Sequence, residues 1–173
     1  MSRAVFCIAN SEPQAVQIVD QLKGAGFSNE ISVLLPDKSG TKDFAHEHHT
    51  KAPEGATTGG VSGGVLGGAL GWLAGIGALA IPGLGPFIAA GPIMATLGGA
   101  AVGATVGGIT GALIGMGLPE FEAKQYEGKV KGGNILIAVH ANDSEDATRV
   151  EHIYEQAGAE HISSAAEVAA RAE

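Results

Sequence analysis

The chain has 173 residues, 45% of them apolar, and a formal net charge of −8 at pH 7, so it suits one domain or one small domain with an insertion. An acidic balance without a basic run argues against nucleic acid as a partner and against docking on anionic lipid by charge alone. The single Cys7 excludes an internal disulfide. The first apolar run covers only residues 4–9, so no signal sequence is predicted.

Residues 1–36 are predicted to be the first half of a small α/β domain. Residues 4–9 are apolar and favour a buried strand. A helix follows, because Ser11 and Gln14 have the spacing of a capping box and glycines at positions 24 and 26 end the helical pattern. Residues 31–35 are predicted to form a second strand, which ends at Pro36.

Residues 37–54 are polar and rich in turn-forming residues, which is typical of a linker. Three imidazoles and two carboxylates within it are candidate ligands of a transition metal: His46, His48, His49, Asp43 and Glu47. The sequence has no second cluster that would complete a four-ligand site. A solvated linker is therefore the preferred interpretation, and no metal or other cofactor is predicted.

The central residues 55–119 contain no Asp, Glu, Lys, Arg or His and hold 21 of the 28 glycines. Ten of these glycines form two ladders with a strict period of four: Gly59, Gly63, Gly67, Gly71, Gly75 and Gly99, Gly103, Gly107, Gly111, Gly115. A spacing of four places residues on one stripe of an α-helix. A glycine stripe allows another backbone to approach closely, so these ten residues are predicted to be helix-packing positions.

Two helices are predicted from this pattern. Helix A covers residues 57–80, and helix B covers residues 92–117, with a break at the Pro- and Gly-rich residues 81–86 and a short turn at 87–90. About 24 residues at 1.5 Å per residue give about 36 Å, which exceeds the roughly 30 Å of a bilayer core. The pair is therefore long enough to form a membrane hairpin.

Residues 120–173 are predicted to be the second half of the α/β domain. A polar helix follows Pro119, a strand covers 134–139, a helix capped near Asp143 extends to Gln156, and a last strand covers 161–164. The two halves are similar, which predicts an α+β fold of the ferredoxin-like βαββαβ type, with the helices on one face of an antiparallel sheet. The glycine-rich hairpin is inserted between the second and third strands.

Three motifs carry a resemblance to a known family: Phe44 to Glu47 with Thr50 to Gly55, Ile81 to Pro86 with Gly91-Pro92, and Gly117 to Glu120 continuing to Gly132-Gly133. Together with the ladders, they resemble the bacterial low-temperature-induced and general-stress-17M-like proteins. The resemblance implies a small glycine-zipper protein associated with membranes. It implies no catalytic residue, so none is assigned.

No sequence feature indicates an enzyme. A phosphate-binding loop needs a lysine after its last glycine, and residues 55–119 have none. Two hypotheses remain open. The first is a protein of the inner membrane, with its α/β domain on the cytoplasmic side and the apolar residues of helix B, including Ile109 and Leu113, facing lipid or neighbouring chains. The second is a cytoplasmic homo-oligomer, a ring, tube or filament, whose hairpins bury one another.

Overall fold

A computed structural model describes residues 2–36, 77–81, 85–91 and 108–166. The polar linker with His46, His48 and His49 and most of predicted helix A lie outside these ranges. Along the described ranges the elements follow one another in the order β-α-β-β-β-α-α-β-α-β. The strands are β1 (Arg3–Ala9), β2 (Ile31–Pro36), β3 (Gly77–Ile81), β4 (Gly85–Ala90), β5 (Ile135–Ala141) and β6 (Glu160–Ala166). The helices are α1 (Glu12–Gly24), α2 (Gly108–Gly115), α3 (Glu120–Lys131) and α4 (Ser144–Gln156).

The six strands form one sheet with the order β3-β4-β2-β5-β1-β6. Every pair of neighbouring strands is antiparallel. Helices and an antiparallel sheet in one chain confirm the α+β class. β2 and β5 are the two central strands, and β1 lies between β5 and the edge strand β6.

The starts of two helices agree with their predicted caps. The Ser11 hydroxyl accepts a hydrogen bond from the Gln14 backbone N–H at 3.3 Å, and the Asp143 carboxylate accepts one from the Asp146 N–H at 2.8 Å. Such caps satisfy backbone donors that have no partner within the helix. The short polar side chain before each apolar stripe therefore fixes where α1 and α4 begin.

One face of the sheet packs against α1 and α4. Val5 and Cys7 of β1 and Ile137 of β5 point to this face, where they meet Ile18 of α1 and Val150 of α4. All five side chains are fully buried. This first core is the one that the ferredoxin-like prediction anticipates.

The opposite face is also covered, so the prediction of helices on one face only is wrong. Phe6 of β1 and Leu136 of β5 pack there against Leu113 of α2 and Val130 of α3. Strand residues alternate between the two faces, and residues 4–9 of β1 are apolar on both. A sheet that is apolar on both faces needs a helical layer on each side, which gives three layers here.

Strands β3 and β4 contradict the predicted secondary structure of residues 77–90. Helix A does not extend to position 80, and residues 87–90 are not a turn, because β3 and β4 pair with each other and β4 pairs with β2. Proline and glycine residues bound each of these short apolar runs, which limits helix length and favours a strand hairpin. The central residues thus contribute two strands to the sheet.

Candidate helix-packing site

Helix α2 carries the part of the predicted helix-packing site that the structure describes. Gly111 and Gly115 of the second ladder lie in it. The other eight ladder glycines lie outside the described ranges: Gly59, Gly63, Gly67, Gly71, Gly75, Gly99, Gly103 and Gly107. The helical conformation of residues 108–115 agrees with the end of predicted helix B.

The inner side of α2 packs on its own domain. Ile109 and Leu113 are fully buried in the second core, and Ala112 is 4% exposed. The prediction that Ile109 and Leu113 face lipid or neighbouring chains is therefore wrong. A spacing of four places residues on a common side of a helix but does not specify what that side contacts. In this protein the side with Ile109 and Leu113 packs on the second face of the sheet.

The outer side of α2 points away from the sheet. A Cβ atom added at Gly115 would meet no other part of the described chain within 4 Å. The neighbouring Ile114 side chain is 42% exposed. Within residues 2–35, 91 and 109–166, whose exposure is described, Ile114 and Phe121 are the two exposed large hydrophobic residues. Phe121 follows α2 at the start of α3 and is 73% exposed.

A carboxylate of α3 holds the start of α2. Glu127 Oε2 accepts a hydrogen bond from the Thr110 backbone N–H at 2.9 Å and a second, short one from the Thr110 hydroxyl. Lys131 Nζ lies 3.6 Å from the other oxygen of Glu127. A negative charge at a helix N-terminus is favourable because backbone N–H groups without helical partners point towards it. Glu127 therefore holds the first described turn of α2 against α3.

These side chains line an open cleft of about 340 Å³ between α2 and α3. Its lining consists of Thr110, Lys124, Glu127, Gly128 and Lys131. Both lysines have carboxylate partners, since Lys124 pairs with Glu120 at 2.7 Å and Lys131 with Glu127. The charges in the cleft are thus paired within α3 itself.

Two buried tyrosines attach the helical layers to β1 from opposite faces. The Tyr154 hydroxyl of α4 donates to the Val5 carbonyl at 3.1 Å. The Tyr126 hydroxyl of α3 lies 3.4 Å from the Phe6 carbonyl oxygen and donates a short hydrogen bond to the His161 carbonyl. Neither residue was predicted to have this role, although they are the only tyrosines in the chain and each lies in a predicted helix.

The Tyr126 contact lies at an irregularity of the sheet. The pairing of β1 with β6 shifts between Phe6 and Ile8, where His161 has a left-handed φ of 50°. A β-bulge interrupts the ladder and leaves a residue without its strand partner. The Tyr126 hydroxyl supplies a donor to the His161 carbonyl at this point, so the bulge and the tyrosine form one unit.

The described residues include neither an exposed thiol nor a cluster of metal-binding side chains. Burial raises the pKa of the Cys7 thiol well above its ordinary value of 9.0, and the hydrogen bond with Tyr154 opposes this shift. Thiol nucleophiles need the ionised form, so Cys7 is an inert core residue. Within residues 2–36, 77–81, 85–91 and 108–166, no three His, Cys, Asp or Glu side chains are grouped to hold a metal.

Every helix of the described ranges is either too short or too polar to cross a membrane. Comparison of the chain with protein-family models, with curated proteins and with solved structures finds no match. The resemblance to glycine-zipper stress proteins, drawn from the motifs near positions 44–55, 81–92 and 117–133, therefore stays a prediction.

Proposed function

We propose that the protein is a non-enzymatic, membrane-associated stress protein whose glycine-rich residues contact lipid and associate with those of other copies through small-residue stripes. Its partners are membrane lipid and further copies of itself. The proposed location is the cytoplasmic side of the inner membrane. The observation that carries this proposal is the orientation of α2, which buries Ile109 and Leu113 and leaves Gly115 open.

The physical reason lies in what a glycine costs in a helix. A glycine inside a helix is about 0.5–1 kcal/mol less favourable than alanine, because it loses more backbone freedom on folding. Gly115 is the last residue of α2, where this cost is smaller, and nothing in the described chain requires the absence of a Cβ atom there. Close approach of a second helix would offset this cost, since small residues let two backbones come together.

We also propose that the domain is a ferredoxin-like fold with an insertion. The order β2-β5-β1-β6, with α1 connecting β1 to β2 and α4 connecting β5 to β6, supports this assignment. Residues 37–134 then replace the short turn of the fold between its second and third strands. The inserted residues begin and end at neighbouring strands, since β2 pairs with β5.

Two glycines provide a matched test of the stripe. Gly115 in α2 and Gly128 in α3 are both open to the surroundings, but only Gly115 belongs to a ladder. We expect Gly115→Leu to reduce self-association at least tenfold, because a bulky side chain keeps a partner helix away. Gly128→Leu should leave it unchanged. Analytical ultracentrifugation in detergent measures the difference, and equal association of both variants and the wild type would rule out the stripe.

Flotation with phosphatidylcholine vesicles tests the membrane contact. The wild type should rise with the vesicles and should resist extraction with alkaline carbonate. If carbonate releases it completely while large assemblies persist without lipid, the homo-oligomer that does not span a bilayer replaces the membrane hairpin. A monomer that ignores vesicles would contradict both functions.

A further inference from the structure

The two edges of the sheet differ in how they are protected against further pairing. β6 forms one edge, and it carries the bulge at His161 and the charged Glu160, which is held by Asn10 and Lys129. Bulges and charges are devices that keep edge strands from pairing with other chains. β3 forms the other edge, and within the described ranges it pairs with β4 alone.

The sequence of β3 contains none of these devices. Its five residues are Gly-Ala-Leu-Ala-Ile, with no charge and no proline. An edge strand of this composition presents unpaired backbone N–H and C=O groups as a template for another strand. Because β3 carries no charge, an uncharged strand can pair with it without leaving a charge unpaired.

Two prolines identify which groups of β3 point outward. In an antiparallel pair, residues alternate between exchanging two backbone hydrogen bonds and exchanging none. Ala80 is opposite Pro86, which has no N–H, so this pair is of the second kind. Pro36 opposite Phe87 fits the same alternation across β2 and β4. The N–H and C=O groups of Ala78 and Ala80 therefore point away from β4, towards the side of β3 that has no partner strand among the described residues.

We infer that β3 pairs with β3 of a second copy, antiparallel and centred on Leu79. In this register Ala78 lies opposite Ala80 of the second copy, so both pairs of outward-facing residues exchange their hydrogen bonds. Leu79 lies opposite itself on the two-fold axis, and the small Gly77 lies opposite the large Ile81. The two six-stranded sheets become one continuous sheet.

A second copy fits this edge better than an unrelated strand. In the symmetric register, the outward-facing N–H groups of Ala78 and Ala80 donate to the C=O groups of Ala80 and Ala78 in the second copy, and the same bonds form in reverse, as a two-fold interface requires. No charged residue lies between positions 55 and 119, so neither strand of the proposed β3–β3 pair carries a charge. The inference does not rest on membrane association, and it uses an interface separate from the glycine ladders.

A cysteine at the two-fold position tests the register in the full-length protein. Cα atoms of a directly opposed pair without hydrogen bonds are about 4.5 Å apart, which a disulfide can bridge. We expect Leu79→Cys to form a covalent dimer under mild oxidation. Ala78→Cys and Ala80→Cys should form at least tenfold less covalent dimer. In the proposed register each of these cysteines lies about 8 Å from the same cysteine of the second copy, because residue 78 is opposite residue 80. The buried Cys7 should not contribute.

A proline then separates edge pairing from the fold. Ala80→Pro removes an N–H that points away from β4, so in the Leu79→Cys background it should abolish the covalent dimer while the urea midpoint stays the same. Ala78→Lys in the same background should only weaken the dimer, because the two lysines lie about 8 Å apart, each opposite an alanine. The inference is overturned if Leu79→Cys stays monomeric, if positions 78, 79 and 80 form disulfides equally, or if Ala80→Pro leaves the covalent dimer intact.

Discussion

Replacing Gly91 by alanine tests directly whether the end of β4 packs against β2. A Cβ atom at this position would lie 2.2 Å from the Ile31 carbonyl oxygen and 2.6 Å from both the Cα and the Oγ of Ser32. The nearest of these atoms belong to the backbone of β2, which is held between β4 and β5. Gly91 also has a φ of +95°, which an alanine adopts only with strain.

The expected cost has two parts. A left-handed backbone costs a residue with a Cβ about 1–2 kcal/mol, and forcing an extra carbon into a packed site costs about 1–3 kcal/mol. Gly91→Ala should therefore lower the free energy of unfolding by about 2–5 kcal/mol, a large share of the 5–15 kcal/mol typical of a domain. Urea denaturation followed by circular dichroism measures the loss.

Gly133→Ala is the matched control, because Gly133 has the same φ of +95° and open space around it. It should show only the backbone part, about 1–2 kcal/mol. The difference between the two variants isolates the contact of β4 with β2. If Gly91→Ala costs no more than Gly133→Ala, the end of β4 does not lie against Ile31 and Ser32, and the placement of the β3–β4 hairpin is wrong.

Three further predictions concern ionisable groups. Burial raises the pKa of Tyr126 and Tyr154 above the ordinary 10.0. The folded protein should therefore show no tyrosinate absorbance step near pH 10. The stability that the two neutral hydroxyls contribute is complete below pH 10 and is lost as the pH rises through the raised pKa values. A step at pH 10 with intact circular dichroism would contradict their burial. Glu127→Ala should destabilise α2 by about 1–2 kcal/mol through loss of its N-terminal cap, seen as faster amide exchange at residues 112–116, whereas Glu122→Ala should not. Hydrogen bonds from Asn10 and Lys129 lower the pKa of Glu160 below 4.5. The contribution of Glu160 to stability is therefore present above pH 4.5 and is lost as the pH falls through the lowered pKa. Asn10→Ala should raise the pKa of Glu160 in a carboxyl NMR titration, and an unchanged pKa would refute the role of Asn10.

The flanking halves of the domain could be predicted from sequence because their signals are local. Ser11 and Asp143 each precede an apolar helical stripe, and the strands between them are short apolar runs bounded by turn residues. Each of these signals depends on contacts within a few residues. The α+β class follows from their order.

The central part could not be predicted in the same way because it lacks contrast. With no charged residue between positions 55 and 119, a period of four fits a helix facing lipid and a helix facing a sheet equally well. Ile109 and Leu113 are buried because the second face of the sheet needs cover, which is a property of the tertiary structure. The hairpin signal at Pro82-Gly83 was present in the sequence but was outweighed by the glycine periodicity.

The sheet order also sets a sequence of events during synthesis. β2 can pair with β4 before β5 is made, but β1 and the other side of β2 have no strand partner until β5 is made, and β5 begins 99 residues after the end of β2 (135 − 36). At roughly 5–20 residues per second, translation of that interval takes about 5–20 s. All of residues 55–119 thus leave the ribosome before β1 can pair with β5 and β6. The centre of the sheet and both of its helical layers are therefore completed only after the whole uncharged stretch has been synthesised.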